Sequence, residues 1–243
     1  MLRSILVIVI VGITGTLSAS ALELDRLRML TVEEHVPWRG VGRVNIANFS
    51  ERGMCTGTLI SEDTVLTAAH CVISERTGRP HDPGNIHFVA GWRQGQRVAH
   101  SKARALIVHS DYDIRSGNEL EQIASDVALI QLETRIPNDK APYFLVAPSP
   151  GKGEPLTLIS YRRDRAHALT RQRGCDILGE KAGVMALGCD VTFGASGSPL
   201  FAEIDGESRL IAVVSAMSRD RGHAVAWAVR VDAALGNVLD RIE

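Results

Sequence analysis

The chain has 243 residues, 45% of them hydrophobic, and its 27 Lys and Arg nearly balance 28 Asp and Glu for a formal net charge of −1. That balance, with no basic stripe along the chain, argues against nucleic acid as a partner. The length suits one compact unit or two small halves sharing a core, and it is enough to bury a sizeable apolar interior.

In chain order, Met1-Leu2-Arg3 is a short basic start, Ile5 to Val11 an unbroken apolar run, and Ala19-Ser20-Ala21 a small-residue processing site. This pattern predicts a signal peptide over residues 1–21. Its apolar core is too short and too broken by Gly and Thr to span a bilayer of roughly 30 Å, so no stable membrane anchor is expected after cleavage. The expected location is secreted or periplasmic. Residues 22–40 are charged, mildly helical in pattern and close on Pro37-Trp38-Arg39-Gly40, which reads as a pre-domain segment, a propeptide or a strap.

From Val41 onward, short apolar runs alternate with turn residues: Val44-Asn45-Ile46, Thr56 to Ile60, Val65-Leu66-Thr67, Ile86 to Val89, Val127 to Leu132, Leu156 to Ile159 and Leu210 to Val214. Many short strands at such spacing predict an all-β fold. Asn48-Phe49-Ser50 is a glycosylation sequon. Residues 137–155, rich in Pro and Gly, form the natural linker between halves. Arg162, Arg163, Arg165, Arg171 and Arg173 read as a solvated loop face. Asp232 as N-cap, with Leu235, Val238, Leu239 and Ile242 at helical spacing, predicts a C-terminal helix of about three turns.

Four cysteines, Cys55, Cys71, Cys175 and Cys189, are an even number in a chain expected to be exported, which favours disulfides. Three connectivities are open, the simplest being Cys55–Cys71 and Cys175–Cys189. No C-x-x-C pair occurs, and His81, His87, His100 and His109 match no ligand spacing, so neither a metal nor another cofactor is expected.

The chemistry concentrates in three places. His70 lies in Thr67-Ala68-Ala69-His70-Cys71, Asp126 in Ser125-Asp126-Val127-Ala128-Leu129, and Ser196 in Gly194-Ala195-Ser196-Gly197-Ser198-Pro199. A serine hydroxyl needs a base to attack an acyl carbon, and an imidazole oriented by a carboxylate is such a base. The order His, Asp, Ser distinguishes one of the three common arrangements of this triad.

With these motifs the chain resembles the chymotrypsin-like, or trypsin-fold, serine peptidases over nearly its whole length from Val41. The form Gly-x-Ser-Gly-Ser-Pro is closer to the bacterial glutamyl-endopeptidase-like branch. The resemblance implies two six-stranded antiparallel β-barrels and a short C-terminal helix. The first barrel would cover residues 41–140 and carry His70 and Asp126; the second would cover 141–243 and carry Ser196. It further implies His70 as base and acid, Asp126 as its orienting partner, Ser196 as nucleophile and the N–H groups of Gly194 and Ser196 as oxyanion donors. Asp190, Ser215 and Met217 would bind substrate, with Ser215 also behind Asp126, and Cys71 would bond back to Cys55. The implied activity is exported serine endopeptidase acting on polypeptides through an acyl-enzyme. A non-catalytic or latent pseudopeptidase on the same fold is the alternative, and retention of all three triad residues argues against it.

Three departures stand out. Ala195 replaces the aspartate that in trypsins receives a freshly cut N-terminal ammonium. Asp190 fits either the base of a specificity pocket or a structural turn beside Cys189. Ala216-Met217 stands where trypsins have Trp-Gly, and strand register decides whether Ala226 or Trp227 faces inward.

Overall fold

The computed structural model describes residues 27–47, 52–116, 119–220 and 222–241. The expected signal peptide and the Asn48-Phe49-Ser50 sequon lie outside these residues. In chain order the named elements begin with β1 (Leu27–Met29), α1 (Val32–His35), β2 (Val41–Ala47), β3 (Arg52–Leu59), β4 (Thr64–Thr67), β5 (Ile86–Ala90) and β6 (Ala99–Val108). They continue with α2 (Glu119–Ala124), β7 (Ala128–Leu132), β8 (Leu156–Ser160), β9 (Thr170–Cys175), β10 (Ile177–Lys181) and β11 (Val184–Leu187). β12 (Pro199–Ile204), β13 (Glu207–Asp220), β14 (His223–Arg230) and α3 (Val231–Leu239) complete the chain.

Alternation fixes the first half. In β5, Ile86, Phe88 and Ala90 are buried while His87 and Val89 are partly exposed, the period-2 pattern of a strand with one face inward. β4 and β7 are buried on both faces, one against the barrel interior and the other against the second half. These strands close a six-stranded antiparallel barrel in the order β2-β3-β4-β7-β6-β5.

The second half is an eight-stranded sheet in the order β1-β9-β8-β12-β13-β14-β11-β10, where six strands were expected. Two features account for the difference. Only Asp176 separates β9 from β10, yet these strands lie toward opposite ends of the sheet, so the sheet must curl until its ends meet at that corner. Counted as one bent strand, β9 and β10 leave a six-stranded barrel-like half, to which β1 adds an outer edge. Gly188 N–H donates to the Asp176 carbonyl at 2.9 Å, and the Cys175–Cys189 disulfide stitches the same corner.

Each half has its own apolar cluster, and a third spans both, drawing Leu66, Val127 and Leu129 from the first half and Tyr161, Phe201 and Val213 from the second. The closing helix joins this shared core through Val231, Ala234 and Val238. It starts one residue before the expected cap. Arg230 is the N-cap, and Asp232 sits in the first turn with its carboxylate paired to the Arg230 guanidinium at 2.5 Å. Leu239 is 41% exposed rather than buried, and Ile242 lies outside the described residues.

Residues 27–40 run as a strap along the second half. β1 pairs with β9, Leu30 N–H donates to Leu169 O at 2.9 Å, and Thr31 with Glu34 forms a reciprocal capping box at the start of α1. Glu34 also pairs with Arg28 and Arg171. Two of the arginines read as a solvated face, Arg162 and Arg171, are in fact buried, and each has a carboxylate partner distant in sequence, Asp190 and Glu34 respectively.

His35, on the strap itself, is buried, and burial first, then the nearby charges of Arg93 and Arg39, lower its pKa from 6.5 to about 4. Between these values the unfolded chain takes up a proton that the folded chain refuses, so stability is full above pH 6.5 and falls as pH falls toward about 4. Melting temperatures measured across that range should drop toward acid, and His35→Gln should flatten the part of the slope that His35 supplies.

Candidate active site

His70 stands on a single 3-10 turn, Ala69–Cys71, that follows β4, and Asp126 sits just before β7. β4 and β7 pair along their length, with Thr67 opposite Ala128, which carries the two side chains to the same end of the barrel. Asp126 accepts the His70 backbone N–H at 2.9 Å through Oδ1, and its Oδ2 lies 2.7 Å from His70 Nδ1. Ser215, on β13 of the second half, donates its hydroxyl to the same Oδ2 at 2.5 Å. The carboxylate is 4% exposed and the imidazole 28%.

Burial opposes both charges. For Asp126 it pushes the pKa upward, but the His70 charge and the hydrogen bonds from His70 and Ser215 prevail and hold it below the ordinary carboxylate value. For His70 burial pulls downward, while the charge and hydrogen bond of Asp126 raise its pKa above the ordinary histidine value. The pair therefore favours Nδ1–H toward Asp126 and leaves Nε2 as the basic nitrogen.

Ser196 lies between β11 and β12 and reaches His70 through a short relay. Thr56 N–H donates to the Ser196 carbonyl at 2.8 Å, Thr56 follows Cys55, and Cys55 is disulfide-bonded to Cys71 beside His70. Both expected disulfides are present. The Cys55 and Cys71 sulfurs near His70 are thus bonded to each other and offer no thiolate to a metal. Ser196 Oγ makes no hydrogen bond to His70, a link that commonly tightens only when substrate arrives.

The backbone around Ser196 is almost fully accounted for. The Phe193 carbonyl accepts from Arg163 N–H at 2.8 Å, and the Gly194 carbonyl accepts from Thr56 Oγ1 at 2.9 Å. Ala195 N–H donates to Thr192 O at 3.0 Å, the Ala195 carbonyl accepts from Ser198 N–H at 3.0 Å, and Gly197 N–H donates to Val214 O at 2.8 Å. Among the described residues, the N–H groups of Gly194 and Ser196 donate to nothing. A trans peptide aims its N–H opposite its carbonyl, so anchoring the Phe193 carbonyl on Arg163 turns the Gly194 N–H away from that contact. Gly194 and Gly197 have φ of +90° and +76°, and a Cβ at Gly197 would meet the Thr56 carbonyl at 2.2 Å.

One cavity borders the serine and a second adjoins the first. The first, of about 170 Å³, is lined by Ser196, Val191, Val214, Ala216 and Met217. The other, of about 420 Å³, is lined by Arg162, Asp190, Thr192, Met217 and Arg219. Met217 borders both and is 46% exposed. Asp190 does reach this region, but in company: Arg162 donates to its carbonyl at 2.6 Å and approaches its carboxylate at 3.4 Å. Arg162 is also paired with Asp164 at 3.1 Å. The β13–β14 register sets Met217 opposite Ala226, which is fully buried, while the Trp227 indole donates to Ser218 Oγ at 2.8 Å. Ala226 is thus the inward residue. Arg162 and Thr56 are the site neighbours that sequence did not single out; the doubled carboxylates Asp164 and Asp190 were the available signal for the first, and nothing local marked the second.

A family model described as a trypsin-like peptidase domain matches residues 55–213. Beta-fibrinogenase brevinase of Gloydius blomhoffii is 32% identical over 115 residues, 46% of this chain and 45% of that protein. The cercarial protease of Schistosoma mansoni is 27% identical over 130 residues, 47% of this chain and 46% of that one. The chain therefore spans about half the length of these curated relatives. A solved Glu endopeptidase structure superposes with a TM-score of 0.70 at 18% identity, covering 88% of this chain and 93% of that one, a likeness of fold.

If Nε2 must be unprotonated to accept a proton, activity rises with pH as His70 loses its charge. The raised pKa of His70 sets the midpoint of the acid limb of kcat/KM above 6.5. A pH–rate profile on a peptide substrate measures this, and an acid limb centred below that value would contradict the coupling to Asp126.

Proposed function

The chain belongs to the trypsin-like peptidase family, and from that premise we propose that it is an exported serine endopeptidase. The observation that carries the proposal is the convergence on Asp126 of His70 N–H, His70 Nδ1 and Ser215 Oγ, beside a serine loop with two unspent amides. In the proposed reaction His70 Nε2 takes the proton of Ser196 Oγ as the oxygen attacks the peptide carbonyl carbon. The oxyanion is received by the N–H groups of Gly194 and Ser196, where losing one donor costs roughly 10²–10³ in rate. His70 then delivers its proton to the leaving amine as the C–N bond breaks, and water, activated by the same imidazole, hydrolyses the acyl-enzyme.

Export is supported by the 1–21 sequence pattern and by two disulfides, which persist in oxidising compartments. No helix among the described residues is long and apolar enough to cross a membrane. The substrate is a polypeptide. Its side chain preceding the scissile bond would enter the small cavity beside Ser196, whose Val191, Val214, Ala216 and Met217 walls suit a neutral apolar group. Asp190 is a poor counter-charge for Lys or Arg, since Arg162 already lies against it and Arg219 lines the same space.

A fluorophosphonate should label the wild-type protein at Ser196, and Ser196→Ala should abolish both labelling and turnover. An unlabelled, inactive wild type would favour the latent pseudopeptidase instead. Among chromogenic peptides varied before the scissile bond, those with Leu, Met or Val should exceed those with Arg or Lys in kcat/KM by tenfold or more.

A further inference from the structure

We propose that Thr56 is the positioning residue that sets the oxyanion loop, doing without charge what a buried ammonium–carboxylate pair does where an aspartate precedes the nucleophile. The inference rests on the serine-peptidase reading and goes beyond it to how the site is held competent. Ala195, at the position of that aspartate, is 1% exposed and packed in the apolar cluster of the second half, so its methyl can hold nothing electrostatically. The adjoining peptide is held from the other half of the molecule. The fully buried Thr56 hydroxyl donates to the Gly194 carbonyl at 2.9 Å and accepts Tyr161 N–H at 3.0 Å. Its own N–H donates to the Ser196 carbonyl at 2.8 Å, and its carbonyl accepts from Thr67 Oγ1 at 2.8 Å.

One residue of β3 thereby grips the carbonyls of Gly194 and Ser196, the two residues whose N–H groups stay unspent. With the Gly194 carbonyl on the buried Thr56 hydroxyl, the peptide after Gly194 cannot rotate without leaving a buried group unpaired, while the peptide before it is held by the Phe193 carbonyl on Arg163 N–H. Tyr161 joins the same hydroxyl, so β8 and the serine loop are fixed by one side chain. No ammonium is needed at any step. The strap offers none nearby either: Val41 is fully buried, and a Cβ at Gly40 would lie 1.8 Å from the Pro142 carbonyl, so this stretch is seated in the fold as it stands. The loop is set as soon as the two halves dock.

Thr56→Val keeps the shape and removes the hydroxyl; Thr56→Ala removes bulk as well; Thr56→Ser restores the hydroxyl. We expect kcat to fall about 10- to 100-fold in the Val and Ala variants with KM within about twofold, a fraction of the loss known for a missing oxyanion donor. A peptide boronate should weaken in parallel with kcat/KM, and Thr56→Ser should return within about threefold of wild type. Wild-type kcat/KM should be unchanged by acetylating the N-terminus. An unchanged kcat in a folded Thr56→Val, failure of Thr56→Ser to restore it, or an alkaline limb near the ~8 of an α-amino group that acetylation abolishes would overturn the inference. Loss of folding in both Val and Ala variants would assign Thr56 to stability alone and equally overturn it. If wild type is neither active nor labelled, the peptidase reading fails first. The crystal structure of Thr56→Val then still decides the positioning role: a peptide flanking Gly194 rotates if it is correct and keeps its wild-type orientation if it is not.

Discussion

Asp126 carries a charge that folding takes out of water, and the arrangement of the site follows from meeting that cost. Withdrawing a carboxylate from solvent costs several kcal/mol even after relaxation, and a buried charge left short of partners costs more than the pairing gains. The chain answers with donors from two directions: the backbone and ring of His70 on the first half, and the hydroxyl of Ser215 on β13 of the second. Neither half alone completes the shell. Docking of the halves therefore completes both the burial of the carboxylate and the set of donors that orient the imidazole.

The seam between the halves carries the rest of the chemistry for a related reason. An apolar cluster drawn from both sides supplies the non-directional attraction, while direction comes from a few hydrogen bonds crossing it. Thr56 bonds to Tyr161, Gly194 and Ser196, and Ser215 bonds to Asp126. The approach of β3 and the serine loop is so close that only glycine fits at 197, where any Cβ would fall 2.2 Å from both the Thr56 carbonyl and Thr67 Oγ1. Ser196 and His70 come from different halves, and their registry is transmitted by backbone contacts and a disulfide rather than by long side chains, which would tolerate more variation.

Much of this is legible in the sequence. The alternation in Ile86-His87-Phe88-Val89 marked a strand, and the motifs around His70 and Asp126 marked two residues that the fold brings into hydrogen-bond contact. The both-face burial of β4 and β7 was also visible as apolar runs. What escaped notice depends on contacts distant in sequence. Arg162 looks like a solvated loop residue until Asp190, 28 positions away, is folded against it. Thr56 is an ordinary strand threonine until Gly194, 138 positions away, is brought to its hydroxyl. The strap could not be recognised as a sheet edge because three residues, Leu27–Met29, carry no periodicity of their own; their partners on β9 define them. Likewise the single residue between β9 and β10 gives no local hint that the sheet curls back on itself there.

The pair His70–Asp126 with the serine loop, and the walls of the neighbouring cavity, are consequently held by different kinds of interaction. His70 and the loop around Ser196 are held by backbone peptides, glycines, the Thr56 hydroxyl and one buried carboxylate. The walls beyond Met217 are set by side chains in mutual balance, Arg162 between Asp164 and Asp190, with Arg219 lining the same space. Both carboxylates there are about half exposed, 50% for Asp164 and 48% for Asp190, so water screens what a substitution leaves behind. These charges line the larger cavity and make no hydrogen bond to the Gly194 or Ser196 carbonyls, which Thr56 holds. Thr56 and Gly197 stand on the other side of that division, the first holding the loop around Ser196 by hydrogen bonds and the second permitting its close approach to β3.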